Sequence, residues 1–137
     1  MAEDDDDDQY LFSMALKEID SGINCEFAKN GREAIGKLKK LAMLPDLIFL
    51  DLNMPVMNGF ECLSKLKNDQ RLSMLPVVIF TTSNNPGDVQ ATHQLGANVF
   101  LTKPSEFNEL KTKIKRILEL DFSQEGLGKG FFSQYSV

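Results

Sequence analysis

The sequence predicts an α/β fold: a doubly wound, parallel, five-stranded sheet with helices on both faces. Three observations predict it. Strand-like and helix-like hydrophobic patterns alternate along the 137 residues. The runs Leu47–Leu50, Val77–Phe80 and Val99–Leu101 are continuously apolar, as strands buried on both faces are. Regular βα alternation of this kind argues for a parallel sheet covered by helices.

Each element follows from local signals. Tyr10 to Ile19 reads as a helix, because Leu11, Met14, Ala15 and Ile19 recur at helical spacing. Ile23, Cys25 and Phe27 alternate and predict a short strand. Asn30-Gly31 punctuates, with Asn30 as cap of a helix running to about Leu41. Pro45 closes that region, and the run ending at Leu50 is the next strand. Pro55 to Gly59 is a loop before a helix bearing Phe60, Leu63 and Leu66. Pro76 opens the following strand. Asn85-Pro86 starts another helix and Gly96 lies just past its end. After the strand at Val99, Ser105 is the expected cap of a last helix carrying Phe107, Leu110, Ile114, Ile117 and Leu118. A domain over 1–122 and a Gly-rich tail over 123–137 with an aromatic, strand-prone end complete the division.

One strand lacks its residues. Only Met1 and Ala2 precede Glu3, whereas a strand commonly takes about five. Two accounts arise. The chain begins at an internal methionine, or the segment Phe131–Val137, from the same or a second molecule, fills the first-strand slot, between the strands of Cys25 and Phe49.

Composition narrows the function. Of 20 acidic residues against 15 basic, six fall at Glu3 to Asp8, and the remainder is nearly neutral. No concentrated basic surface is present to release counterions, so nucleic acid is a poor partner. Hydrophobic residues make up 42% of the chain, enough for a core. Cys25 and Cys62 lack metal-ligand or redox spacing and read as free thiols. The apolar runs are too short to span a bilayer and no signal peptide is visible. A soluble cytoplasmic protein is expected.

In open parallel sheets, ligands bind beyond the carboxyl ends of the strands. Those ends carry Asp51, Thr81 and Lys103, and Glu3 with Asp4 joins them where the first strand would end. Three carboxylates in one crevice repel unless a cation neutralises them. An all-oxygen set suits Mg²⁺ or Mn²⁺. A hydroxyl and an ammonium opposite are what a bound phosphoryl group needs. Asp6, Asp7 and Asp8 fit as first-turn acids at the positive end of a helix, and Asp5 suits either the site rim or the cap. His93 reads as a surface residue, and the basic last helix as a solvated face.

The motifs Ala2-Glu3-Asp4-Asp5, Leu50-Asp51-Leu52-Asn53-Met54-Pro55, Thr81-Thr82-Ser83 and Thr102-Lys103-Pro104 resemble those of the response-regulator receiver domain of two-component signalling, a flavodoxin-like fold. The spacings also agree, with 30 residues from Asp51 to Thr81 and 22 from Thr81 to Lys103. The resemblance covers about Ala2 to Leu120. It implies that Asp51 accepts a phosphoryl group from a sensor histidine kinase or phosphotransfer protein. It implies direct Mg²⁺ ligation by Asp4 and Asp51, ligation through water by Glu3, and ligation by the backbone carbonyl of Asn53. Lys103 would pair with Asp51 and then with the phosphoryl group, and Thr81 would bind a phosphoryl oxygen. Phe100 occupies the aromatic switch position, whose ring turns inward on activation. Asn53 and Ser83 occupy the positions that tune phosphate loss. The Lys103-Pro104 bond matches one that is often cis in the family.

The resemblance implies a stand-alone switch protein rather than an enzyme, signalling to a downstream protein partner, with a homodimer compatible. Three alternatives are weaker. A dehalogenase-type phosphatase needs an acid two residues after the nucleophile, where Asn53 stands. A flavin carrier wants a glycine-rich phosphate loop after the first strand, where this chain has acids. A degenerate receiver serving only as an interaction module would have lost Asp51, Asp4 or Lys103, and all three are present.

Overall fold

The computed structural model describes residues 1–120 and the strand at 133–135. The elements in chain order are α1 (Asp6–Ile19), α2 (Gly31–Lys40), β1 (Ile48–Leu50), α3 (Gly59–Asn68), β2 (Val77–Thr81), α4 (Pro86–Gln94), β3 (Val99–Thr102), α5 (Phe107–Leu118) and β4 (Ser133–Tyr135), with a 3₁₀ turn at Leu72–Met74. The strands are parallel and ordered β1-β2-β3-β4.

Side-chain alternation along each strand feeds two separate cores, as the period of two requires. Phe49, Val78, Phe80, Val99 and Leu101 face α1 and α5, where Phe12, Leu16, Leu110, Ile114 and Ile117 close the layer. Ile48, Leu50, Val77, Ile79 and Phe100 face the other way, against Leu38 of α2 and Cys62, Leu63 and Leu66 of α3. Helices therefore cover both faces, and the doubly wound architecture is present. Among the described residues no helix is long and apolar enough to cross a membrane.

The first-strand slot is held by one residue. Ala2 bridges in parallel to both Ala28 and Leu50. Its amide donates to the Phe49 carbonyl at 2.9 Å, and its own carbonyl accepts from the Asp51 amide at 3.1 Å. On the other side, the Glu3 amide donates to Ala28 at 2.8 Å and the Ala28 amide to Met1 at 2.9 Å. The Met1 ammonium extends the pairing by donating to the Glu26 carbonyl at 2.7 Å. This minimal ladder delivers Glu3 and Asp4 to the carboxyl end of the sheet beside Asp51.

Several expectations are corrected. The strand at Ile23–Phe27 is reduced to the Ala28 bridge, because among the described residues only Met1 to Glu3 lie alongside to pair with it. Its alternation persists in packing, with Ile23, Cys25 and Phe27 lying against the Phe12 core. The end of the tail does form a strand, but Ser133–Tyr135 pairs with Val99–Leu101. That is the far edge of the sheet, three strands from the slot proposed for it. There α5 serves as the crossover between two parallel strands, the usual βαβ arrangement. The rest of the tail and the boundary at 122 lie outside the described residues. Helix α1 begins at Asp6, not Tyr10, because the Asp5 side chain caps it by accepting from the Asp7 and Asp8 amides. That settles Asp5 as a cap and keeps Asp6, Asp7 and Asp8 in the first turn. Helix α5 is preceded by Glu106 without a side-chain cap, so Ser105 does not serve. No cis peptide bond occurs among the described residues; Lys103-Pro104 is trans, the lower-energy isomer.

Candidate functional site: a carboxylate cluster around Lys103

The predicted site residues other than Phe100, which lies within β3, sit at or beside a strand end. Asp51 follows β1 directly and is 5% exposed. Its Oδ1 accepts the Leu52 amide at 2.8 Å, which fixes the carboxylate plane and leaves Oδ2 facing Lys103 at 3.5 Å. Glu3 is 1% exposed, and its Oε2 accepts the Asp5 amide at 3.1 Å. Gln9 of α1 donates to the Glu3 carbonyl at 2.6 Å, tying helix to strand end. Asp4 is exposed. Glu3, Asp4 and Asp51 each offer a carboxylate oxygen within 4.8 Å of the others.

Lys103 reaches this cluster from the end of β3. Its amide donates to the Thr81 carbonyl at 2.7 Å, so the sheet register that pairs Thr81 with Thr102 also aims the lysine. The Nζ bonds Glu3 Oε1, contacts Asp8 Oδ2 at 2.9 Å, and lies 5.7 Å above the Phe80 ring. The resemblance implied pairing with Asp51, which stands at 3.5 Å; Glu3 and Asp8 are nearer partners. Burial disfavours the ammonium charge. The bonds from Glu3 and Asp8 and the charge of Asp51 outweigh it and hold Lys103 above its ordinary pKa. Burial also pushes the Glu3 carboxyl up to about 7, against the bond from Lys103 and with the repulsion of Asp51. Two buried carboxylates and one exposed one, unequally served by a single ammonium, form a hard-oxygen set that fits a divalent cation such as Mg²⁺ or Mn²⁺.

Thr81 is fully buried at the end of β2, and its Oγ1 accepts the Ser83 amide at 3.4 Å. The Ser83 hydroxyl donates to Asp88 at 2.6 Å and accepts from the Asn85 amide at 3.2 Å. Asn53 is exposed two residues past Asp51. Phe100 is fully buried against the α2–α3 side, so its ring already lies inward. His93 is exposed, on α4.

Two participants escaped the sequence reading. Asp8 read as a helix-start acid, yet it bonds Lys103; only the true start of α1 at Asp6 would have placed it in the turn above the strand end. Gly59 read as a loop residue. Its amide donates to the Leu52 carbonyl at 2.9 Å, and a Cβ there would lie 2.2 Å from the Asp51 carbonyl oxygen. The proximity of Gly59 to Asp51 in sequence was the available signal.

The family model described as response regulator receiver domain matches residues 1–115. The chain belongs to that family. This receiver domain is 35% identical over 117 residues to the probable transcriptional regulator ycf29 of Pyropia yezoensis, covering 84% of the chain but 52% of that relative. It thus spans about half the relative's length. Among solved structures, the phosphorylated cyanobacterial phytochrome response regulator RcpA is 33% identical with a TM-score of 0.81, covering 90% of this chain and 91% of that one. The Mn²⁺-bound response regulator Rcp1 is 34% identical with a TM-score of 0.72, covering 85% and 87%. These likenesses fix the flavodoxin-like receiver fold and the two-component class. Receiver domains bind Mg²⁺ or Mn²⁺ at an acidic pocket, and this chain has an acidic cluster at Glu3, Asp4 and Asp51.

Proposed function

We propose that Asp51 of this receiver domain accepts a phosphoryl group from a histidine kinase or phosphotransfer protein, and that the resulting charge switches the domain toward a downstream protein partner. The observation that carries the reading is the placement of Asp51: a buried carboxylate at a strand end, beside Glu3 and Asp4 on one side and Lys103 on the other. The Mn²⁺-bound state of the related Rcp1 and the phosphorylated state of RcpA support it.

An Asp51 carboxylate oxygen attacks the phosphorus of the donor. The bond from phosphorus to the donor nitrogen, or to the acyl oxygen of acetyl phosphate, breaks, and the donor leaves with the electron pair. A mixed carboxylic–phosphoric anhydride forms. No proton need be taken from an ionised nucleophile, so the protein's part is positioning and charge. The Leu52 amide fixes Asp51, and the Thr81 backbone aims Lys103 at the incoming oxygens. Glu3, Asp4, Asp51 and the Asn53 carbonyl would hold Mg²⁺, which supplies charge neutralisation when bound. The anhydride adds about one to two negative charges. Those charges draw Lys103 and the Thr81 hydroxyl toward them, and Thr81 is linked through Ser83 to the start of α4. Phe100, buried within β3, would register the change, and Asn53 and Ser83 would tune water access to the anhydride.

The test is intact-mass measurement after incubation with Mg²⁺ and acetyl phosphate. The wild type is expected to gain one phosphoryl group and Asp51→Asn none. A folded wild type that gains nothing would defeat the proposal.

A further inference from the structure

We propose that Asp8 is a positioning residue: it holds the Lys103 ammonium on the α1 side of the site, and so sets how readily phosphoryl transfer to Asp51 proceeds. The inference rests on the phospho-acceptor reading of Asp51. An ammonium has three donor hydrogens, and three carboxylates surround this one. Glu3 and Asp8 take the close positions, and Asp51 stands off at 3.5 Å against 2.9 Å for Asp8. Asp8 is no loose surface acid. It lies in the first turn of α1, where its amide is bound by the Asp5 cap at 3.0 Å. One turn later Phe12 anchors the same helix, 1% exposed, with its ring edge-on to Phe49 at 4.8 Å. The lysine is equally held, its side chain 10% exposed and its ammonium over Phe80. A phosphoryl oxygen arriving at Asp51 must therefore compete with Asp8 for a Lys103 donor.

Asp7 supplies the control. It carries the same charge in the same first turn, but is exposed and forms no ion pair with Lys103. The initial rate of phosphorylation by acetyl phosphate, at limiting and saturating donor, separates the two. Asp8→Asn is expected to raise the saturated rate about two- to five-fold, the range for a partly exposed ion pair, while Asp7→Asn leaves it unchanged and Asp8→Glu restores it. In the metal-free, unphosphorylated protein, the ¹⁵N-lysine NMR signal of the Lys103 ammonium should shift in Asp8→Asn and stay in place in Asp7→Asn. Equal rates for Asp8→Asn and Asp7→Asn, or an unmoved Lys103 signal, would overturn the positioning role. A wild type that takes no phosphate would instead overturn the phospho-acceptor reading, and the kinetic role of Asp8 with it.

Discussion

Two glycine-to-alanine substitutions should act with opposite sign. At Gly59 the added methyl would lie 2.2 Å from the Asp51 carbonyl oxygen and 2.7 Å from the Leu52 Cα. Carbon and oxygen ordinarily meet at about 3.3–3.6 Å, so the start of α3 and the Asp51 loop must part by about 1 Å. Both neighbours are backbone, and neither can swing aside. Overpacking of this kind costs about 1–3 kcal/mol. The Gly59 amide also donates to Leu52 at 2.9 Å, and stretching that bond adds about 0.5–1.5 kcal/mol. Gly59→Ala should therefore lower unfolding free energy by about 2–4 kcal/mol. It should also slow phosphorylation, because the shift falls on the acceptor's own backbone. At Gly36, inside α2, a Cβ meets nothing within 4 Å. Alanine there removes glycine's entropic penalty in a helix and should stabilise by about 0.5–1 kcal/mol. Urea unfolding of both variants beside the wild type reads the two signs. A Gly59→Ala protein within about 0.5 kcal/mol of wild type, the usual spread of a neutral surface change, would refute the close-approach argument.

Two further substitutions test the packing and the acceptor loop. Val56 has φ of 64° and is 74% exposed, a left-handed conformation that a β-branched residue resists. Val56→Gly should raise stability in urea by about 1 kcal/mol, whereas a loss would show that the valine side chain is held by contacts. Phe12 packs edge-on to Phe49 at 4.8 Å and lies 5.8 Å from Phe80. Phe12→Ala should cost about 3–5 kcal/mol, and a cost under about 1 kcal/mol would mean that α1 is not anchored as described.

The sequence was most legible where burial dominates. The runs at Leu47, Val77 and Val99 were strands because both faces of each are covered, and Asp51, Thr81 and Lys103 were found because strand ends meet at one edge. It was least legible where pairing depends on a distant neighbour. Ile23–Phe27 carries the right alternation, but a strand exists only alongside another, and among the described residues only Met1 to Glu3 lie there. The strand at Ser133–Tyr135 was visible as propensity, yet its partner was misplaced, because propensity carries no information about which edge is free. Asp8 was hidden for a similar reason. Its role depends on where α1 starts, and the Asp5 cap, not hydrophobic periodicity, sets that start.

The account turns on one carboxylate. Borohydride reduction of the phosphorylated protein converts a phosphoaspartate to homoserine, and peptide mass mapping then locates it. The account predicts homoserine at position 51, formed only after incubation with Mg²⁺ and a phosphoryl donor. Homoserine at Asp4 or Asp8, or none in a protein that folds cooperatively and has been offered both, would contradict it.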